Sequence, residues 1–299
     1  VWYDSTAADF KYQYPNVTAA GAWSTGGSLN TARSSLAGAG IQTAALATGG
    51  DTPPATAVTE SYNGTSWTEV NDLNTGRRYL AATGTQTSTL AFGGVTSAPA
   101  IVGNTESWNG TSWTEVNDFN TARYGAGSAG VDNTSALAFG GDPGHLAITE
   151  SWNGTNWTEV NDLNSGRAFP GGFGTQTSAL SAGGADPSGR VAITESYNGT
   201  SWTEVNDLNV QKYLAGTGGT DNTSGLIFGG YSTAAIANTE TWNGTSWTET
   251  TDLSTARQQL TGAGTATSAL AVGGDTGSVT AATEEWLGAG QPVGAWSTG

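Results

Sequence analysis

Short hydrophobic segments, each flanked by turn-forming residues, follow one another along the whole of this chain. Residues 121–165 contain the pattern once in full, with Gly140-Gly141 after the second segment and Asn153-Gly154 after the third. The strands predicted from it are 124–129, 135–139, 147–152 and 157–160. Asn-Gly between two strands predicts a type I′ hairpin, because both central residues of that turn need positive φ.

The same pattern recurs six times. Its two aromatic anchors are a tryptophan that opens the fourth strand and an aromatic residue in the third. The tryptophans are spaced 44, 46, 44, 45 and 45 residues apart and are Trp23, Trp67, Trp113, Trp157, Trp202 and Trp247. The third-strand aromatics are Tyr62, Trp108, Trp152, Tyr197, Trp242 and Trp286. Four strands per repeat of about 45 residues is typical of β-propellers, whose blades bury their faces only by stacking. We therefore expect these twelve side chains to form the core between blades.

Four features at fixed offsets make the repeat resemble the kelch repeat. They are a Gly-Gly pair after the second strand, the third-strand aromatic, the fourth-strand tryptophan and an arginine before the next copy. The match covers about residues 21–287. This resemblance implies an all-β, six-bladed propeller with four antiparallel strands per blade, and seven blades is the alternative.

The chain divides into an N-terminal hairpin or lead-in segment, residues 1–20, and a propeller, residues 21–299. The sequence Gly-Ala-Trp-Ser-Thr-Gly occurs at 21–26 and again at 294–299. Either copy could complete the last blade. We favour ring closure by 21–26, and the other copy would then begin a further repeat of a longer protein.

Composition limits the possible partners. The net charge is −16 with only 9 basic residues, so we expect no nucleic-acid ligand. No apolar run is long enough to span a bilayer, and we expect no membrane insertion. The chain has no Cys, which excludes disulfides and thiolate metal sites. It also lacks Met, and we interpret it as a processed product or a fragment.

One basic residue precedes the first strand of every blade. These six residues are Arg33, Arg77, Arg123, Arg167, Lys212 and Arg257. They could form a basic ring at the mouth of the channel and bind an anion. Because each blade has one, we favour a structural role in which each pairs with a nearby acid, such as the Asp of the Asn-Asp-Leu-Asn turn. The repeated glutamates, such as Glu106 and Glu115, are expected to be solvated or arginine-paired, not catalytic.

The loop after the Gly-Gly pair differs in every blade, whereas the turn between the third and fourth strands barely varies. Recognition is more often located in such variable loops than in a uniform scaffold. The candidate ligand-binding residues on this loop face are His145, Arg190, Tyr231, Asp51, Asp142 and Asp275.

No enzyme chemistry is evident from the residue types. The chain is similar in blade pattern to the kelch-type copper oxidases, whose site needs a Cys-Tyr cross-link and two His ligands. This chain has no Cys and a single His, so we predict no metal, no cofactor and no catalytic residue.

Residues 1–12, which include Trp2-Tyr3-Asp4-Ser5-Thr6 and Phe10-Lys11, resemble hairpins of bacteriophage tail-fibre proteins. The Gly/Thr/Ser-rich repeats are similar to propellers of marine phage appendages. The resemblance implies an extracellular or virion-surface protein that recognises a cell-surface glycan or protein receptor. Other virion proteins would be partners, and a homo-oligomer could form through regions outside the propeller. The alternatives are a secreted bacterial structural or adhesive propeller and a sialidase-like, glycan-processing enzyme.

Overall fold

Six four-stranded antiparallel sheets are arranged around a central channel. The computed structural model describes residues 2–4, 9–11 and 20–290, and these residues contain no helix. The first strand of each sheet contacts the first strands of the two neighbouring sheets, all the way around the ring. The predicted all-β, six-bladed propeller is thereby confirmed, and no seventh blade is present among the described residues.

Each blade has the same four-strand order. The first strands, which line the channel, are Ala37–Ile41, Ala81–Thr85, Gly127–Asp132, Gly171–Thr175, Gly216–Asp221 and Thr261–Thr265. The second strands are Ala44–Thr48, Ser88–Phe92, Ser135–Phe139, Ser178–Ala182, Ser224–Phe228 and Ser268–Val272. The third strands are Thr59–Tyr62, Thr105–Trp108, Thr149–Trp152, Thr194–Tyr197, Thr239–Trp242 and Thr283–Leu287. The fourth strands are Trp67–Glu69, Trp113–Val116, Trp157–Val160, Trp202–Val205, Trp247–Glu249 and, for blade 6, Ala22–Thr25.

Three further strand pairs lie outside the blades. Two are short pairs beside blades 2 and 4, namely Arg77–Arg78 with Val95–Thr96 and Ala185–Asp186 with Gly189–Arg190. The third is the antiparallel hairpin Trp2–Asp4 with Asp9–Lys11, in which Tyr3 is opposite Phe10. The remaining residues of the 1–20 lead-in, apart from residue 20, lie outside the described part of the chain.

Blade 6 is completed by a strand from the other end of the chain. Ala22–Thr25 pairs with Thr283–Leu287, with Trp23 opposite Trp286. The second copy of the hexapeptide, at 294–299, lies outside the described residues.

Three strand bounds in blade 3 differ from the prediction, and one of them is the end of the first strand, at Asp132 instead of residue 129. The first strand begins at Gly127 instead of residue 124, because Gly125 has a φ of 61° that interrupts extended backbone. The third strand begins at Thr149 instead of residue 147. The second and fourth strands have the predicted bounds.

The predicted type I′ hairpin is wrong. Trp152 pairs directly with Trp157, so four residues lie between the strands instead of two. Gly154 has a φ of 89°, but Asn153 is not among the residues with positive φ. Its Oδ1 instead accepts hydrogen bonds from the backbone N–H groups of Thr155 and Asn156 at 3.0 and 2.9 Å. The Asn-Gly sequence therefore caps a wider turn through its side chain.

The aromatic anchors pack between and within blades. Eleven of the twelve are buried, and Trp23 is half-buried. In every blade the third-strand aromatic lies next to the fourth-strand tryptophan, with ring centroids 4.8–5.4 Å apart. Six core clusters result, and each contains side chains of two adjacent blades. Large aromatic surface is thus removed from water at every boundary between blades.

Each fourth-strand tryptophan also makes a polar contact with the preceding blade. Its indole N–H donates to the hydroxyl of a third-strand threonine at 3.1–3.2 Å, as Trp113 does to Thr59. The ring closes on itself, since Trp67 of blade 1 bonds to Thr283 of blade 6 and Trp23 of blade 6 bonds to Thr239 of blade 5.

The six repeated cations are buried in ion pairs and do not form a basic ring at the channel mouth. Their side chains are 0–1% exposed, and each pairs with the third-strand glutamate of its own blade. The pairs are Arg33–Glu60, Arg77–Glu106, Arg123–Glu150, Arg167–Glu195, Lys212–Glu240 and Arg257–Glu284. Burial lowers the pKa of Arg77 and of Lys212, while the partner carboxylates act in the opposite direction. A buried charge needs such a partner, which explains why every blade has the pair.

The expected pairing of these cations with the turn aspartates is not what the structure shows. Asp118, for example, accepts a hydrogen bond from the backbone N–H of Thr105 at 3.1 Å, and four other blades have the equivalent contact. The turn aspartate therefore caps the start of the third strand, and the glutamate inside that strand binds the cation.

An amide side chain in the turn between the first and second strands connects adjacent blades. Gln86 of blade 2 donates to the backbone carbonyl of Tyr62 and to the hydroxyl of Ser61 in blade 1. Equivalent contacts are made by Gln42, Asn133, Gln176 and Asn222. Blade 6 has Ala266 at this position and lacks the contact.

Candidate binding site at the channel mouth

The first strands enclose a cavity of about 210 Å³ along the channel. Its lining consists of small, aliphatic, hydroxyl and aromatic residues and one amide, Gln259, and contains no Asp, Glu, His, Lys or Arg. The small residues are required here, since a Cβ added to Gly262 would lie 2.1 Å from the carbonyl oxygen of Thr217. Larger side chains occur at one end of the cavity, where the chain enters each first strand.

Three sets of six equivalent residues surround this mouth. The first ring, which lines the cavity, is Ser35, Tyr79, Gly125, Phe169, Leu214 and Gln259. The second ring, one residue earlier in each blade, is Ser34, Arg78, Tyr124, Ala168, Tyr213 and Gln258. The third ring begins the variable loops and pairs with the second through backbone bridges; it is Asp51, Val95, Asp142, Ala185, Tyr231 and Asp275. The variable loops therefore lie next to the segments that carry the repeated Arg or Lys before each first strand.

The backbone of the first ring has one conformation in all six blades. Its φ values are 53–61°, a left-handed conformation that costs energy for residues other than glycine. Five hydrogen bonds of 2.7–2.9 Å link successive members around the mouth, for example from the N–H of Tyr79 to the carbonyl of Ser35. This linked backbone holds the ring side chains at fixed positions around the opening.

One half of the mouth is aromatic. Tyr79, Tyr124, Phe169, Tyr213 and Tyr231, from blades 2 to 5, form a continuous series with neighbouring centroids 5.3–6.1 Å apart. All five are half-buried, so each presents part of its ring to solvent. Burial raises the pKa of Tyr124, and the adjacent Asp142 carboxylate adds to the effect. Burial likewise raises the pKa of Tyr213. The raised pKa values keep the hydroxyl groups of Tyr124 and Tyr213 protonated at neutral pH.

The other half of the mouth is polar. Blades 6 and 1 contribute Gln258, Gln259, Ser34 and Ser35 at the positions that carry aromatic rings elsewhere. Gln259 connects the two halves, because its side-chain amide donates to the Tyr79 hydroxyl and its oxygen accepts from the Ser35 hydroxyl, both at 3.2 Å.

Four of the predicted ligand-binding residues belong to the third ring. Asp51 is 9% exposed and forms an ion pair of 2.6 Å with Arg78. Asp142 accepts from the Tyr124 hydroxyl at 3.3 Å and from the backbone N–H of His145. Tyr231 is part of the aromatic series.

Asp275, the fourth, accepts the backbone N–H of Gly277 within its own loop. The two remaining predicted residues lie in the loops of blades 3 and 4. His145 has a φ of 54° and lies near Asp186 of the next loop. A hydrogen bond from Ser188 lowers the pKa of the Asp186 carboxyl, and the charge interaction with His145 adds to this effect. Arg190 lies in the short strand pair beside blade 4 and influences Tyr213 of blade 5. Arg190 and Tyr231 thus both act on Tyr213, Arg190 through its charge and Tyr231 through a ring contact as well.

Most of the aromatic series was missed by the sequence reasoning, which placed residues 124–129 in a strand. The available signal was variation: the two residues directly after the repeated cation form a different pair in every blade, although the cation is always Arg or Lys. Tyr79, Tyr124, Phe169 and Tyr213 all occupy one of these two positions.

No protein-family model matches this sequence, and none of the curated proteins compared with it matches either. No helix within residues 2–4, 9–11 and 20–290 could cross a membrane. The same residues contain no group of three or more His, Asp or Glu side chains placed to hold a metal ion.

Proposed function

We propose that this chain is a non-enzymatic binding module that recognises a host-surface glycan at the channel mouth. The observation that carries the proposal is the unequal mouth on an otherwise repeated scaffold. Aromatic rings of blades 2 to 5 face amide and hydroxyl groups of blades 6 and 1. Ligand sites typically combine such apolar walls with a few fixed polar groups.

The chemistry of a pyranose fits this division. One face of a sugar ring carries only C–H groups and packs on an aromatic side chain, while its edge carries hydroxyls that need donors and acceptors. Tyrosine suits this role because it presents a flat apolar ring and a polar tip with little conformational freedom to lose. Half-buried rings held by a linked backbone are already in place before the ligand arrives, which reduces the entropic cost of binding.

Binding without turnover is supported by where the acidic groups lie. General acid–base catalysis needs a titratable side chain within reach of the scissile bond. The cavity lining has no carboxylate or imidazole, and the third-strand glutamates are buried against Arg or Lys in every blade. The carboxylates at the mouth already bind protein groups, as Asp51 does with Arg78.

The proposed setting is the surface of a virion. The repeat resembles the kelch repeat, and the N-terminal segment with its Trp2–Asp4 and Asp9–Lys11 hairpin resembles tail-fibre hairpins. In this proposal the chain is extracellular, other virion proteins are partners, and any homo-oligomer forms through regions outside the propeller.

A glycan array probed with the whole chain tests the proposal, with mass spectrometry of the bound glycans to detect cleavage. We expect saturable binding, no cleavage product, and loss of binding in Tyr213→Ala and Tyr231→Ala. Thr158→Ala, an exposed position on the outer strand of blade 3, is the matched control and should bind as the parent does.

The other outcomes separate the alternatives. Turnover of any glycan would identify an enzyme and refute the proposal. Binding to host cells that survives removal of glycans but not protease treatment would identify a protein receptor. Absence of binding to both glycans and cells would leave a purely structural propeller.

A further inference from the structure

Arg190 differs from the other arginine and lysine side chains that the structure describes. Six of those cations are buried against glutamates, and Arg78 is paired with Asp51. Among the arginine and lysine side chains of residues 20–290, only Arg190 has no carboxylate within ion-pair distance and no side-chain hydrogen bond. Arg190 is half-buried, and its Nε atom has no hydrogen-bond partner, as is also true of the other described arginines.

The position of this free guanidinium is defined by its neighbours. Arg190 is fixed by a two-residue strand pair with Ala185, whose backbone in turn bridges to the second ring at Ala168. Its charge reaches Tyr213, where it opposes the rise in pKa that burial and Tyr231 cause. Tyr213 contacts Phe169 on one side and Tyr231 on the other, at 6.1 and 5.6 Å between centroids. A free cation therefore borders the aromatic half of the mouth.

The charge of the remaining molecule restricts what this cation can bind. With a net charge of −16, the protein repels polyanions at long range. A single anionic group is affected much less, since screening limits repulsion to about 8–10 Å at physiological ionic strength. Arginine binds carboxylate and sulfate oxygens through paired N–H donors, and such charge-assisted bonds are about twice as strong as neutral ones.

We propose that the mouth selects a glycan whose bound pyranose carries one carboxylate or sulfate group, with the anion on Arg190 and the sugar ring on the tyrosines. This inference rests on the proposed function, since it names the ligand class of the same site. The anion distinguishes the ligand from neutral hexoses, and its single charge distinguishes it from polyanions.

Glycans that share one sugar core and differ only in the anionic group test this preference directly. An array would carry lactose, 3′-sialyllactose, 3′-sulfolactose and further neutral, uronic, sialylated and sulfated pairs, together with heparin as a polyanion. We expect the chain to select an anionic member of a pair by roughly tenfold or more over its neutral partner, and to bind heparin poorly. The carboxylate and sulfate members separate the two possible anions.

Three variants test whether Arg190 causes the preference for anionic over neutral glycans. Arg190→Gln should reduce the preference to about twofold or less, while Arg190→Lys should retain part of it. Thr114→Glu makes the same change in net charge at an exposed position on the outer strand of blade 2 and should leave the preference intact.

Three results overturn the inference and differ from each other. Selection of neutral glycans refutes the anionic ligand, and an equal loss in Arg190→Gln and Thr114→Glu refutes the binding of the anion by Arg190; in both cases the glycan-binding proposal stands. Silence across the whole array, including the neutral members, refutes both the anionic ligand and the glycan-binding proposal.

Discussion

Each blade contributes one residue to a ring of buried cations and, two positions later, one residue to the first ring at the mouth, here called the mouth ring. These two rings of six have opposite character. The buried ring has a cation in every blade and always the same glutamate partner, as in Arg167–Glu195. The mouth ring, two positions later, has six residues of five different chemical types, although its backbone φ is the same in all. The difference lies in what each position demands. The buried site constrains a side chain, because an unpaired charge there is costly. The mouth site constrains only the backbone.

The mouth ring shows which side chains can occupy a position that core packing does not constrain. Glycine would satisfy its left-handed backbone without strain, and blade 3 does have Gly125 there. The other five blades have side chains, including Tyr79 and Phe169, at a conformation that disfavours them by roughly 1 kcal/mol each. Local conflict between residue type and backbone is common at functional sites, and here it occurs in both the aromatic and the polar half of the mouth.

The largest expected effect comes from the buried ring. Glu106→Gln would leave Arg77 buried without its counter-ion and replace one of the two carboxylate oxygens, which accept from Arg77 and from the backbone N–H of Asn74, with an NH2 group that cannot accept. We expect a loss of about 3–5 kcal/mol in the free energy of unfolding, measured by urea denaturation. Glu115→Gln is the control, since this exposed side chain is directly opposite Glu106 on the fourth strand. Equal effects of the two substitutions would show that burial of the pair does not matter.

An intermediate effect on stability is expected in blade 6, which lacks one contact that the other blades make. Ala266→Gln should restore to blade 6 the amide contact that Gln86 makes with the backbone of the preceding blade. One or two added hydrogen bonds, reduced by the lost side-chain entropy, give a gain of about 0.5–1 kcal/mol in the free energy of unfolding. Gln86→Ala should lose about 1–2 kcal/mol in the same measurement. If Ala266→Gln destabilises the protein instead, blade 6 is not equivalent to the others at this position.

The smallest effect on stability is expected at the mouth. Tyr231→Ala removes a half-buried ring that contacts Tyr213. We expect its free energy of unfolding, measured by thermal and urea denaturation, to fall by less than about 1 kcal/mol. Its effect on glycan binding should be far larger than its effect on folding. A loss of stability as great as that of Glu106→Gln would place this ring in the scaffold and end the contrast between the two regions.

The sequence was sufficient for the fold because the repeat is long and its anchors are aromatic. The second and fourth strands of blade 3 had the predicted bounds, since each begins or ends at a strong marker such as Trp157 or Gly140. The first strand of blade 3 was predicted to begin too early, because a glycine such as Gly125 is compatible with both negative and positive φ and its type alone does not reveal the break.

The partner of the buried cations was equally hard to predict. Glu106 and Asp118 are both carboxylates of the same repeat as Arg77. Asp118 follows the fourth strand and lies outside it, so strand alternation does not separate the two candidates. The mouth aromatics went undetected for a related reason. They come from four blades, and only the folded ring brings Tyr79, Phe169 and Tyr213 together.

Closure of blade 6 by a strand from the opposite end of the chain has a mechanical consequence. Ala22 is paired with Leu287, so the propeller's entry and exit points are adjacent and on the same end of one strand pair. Tension applied between them would peel this pair open from that end, rupturing one rung at a time instead of shearing all rungs at once. The ring is therefore weakest to a pull on its own two ends, whereas a load carried through its faces would bypass that pair.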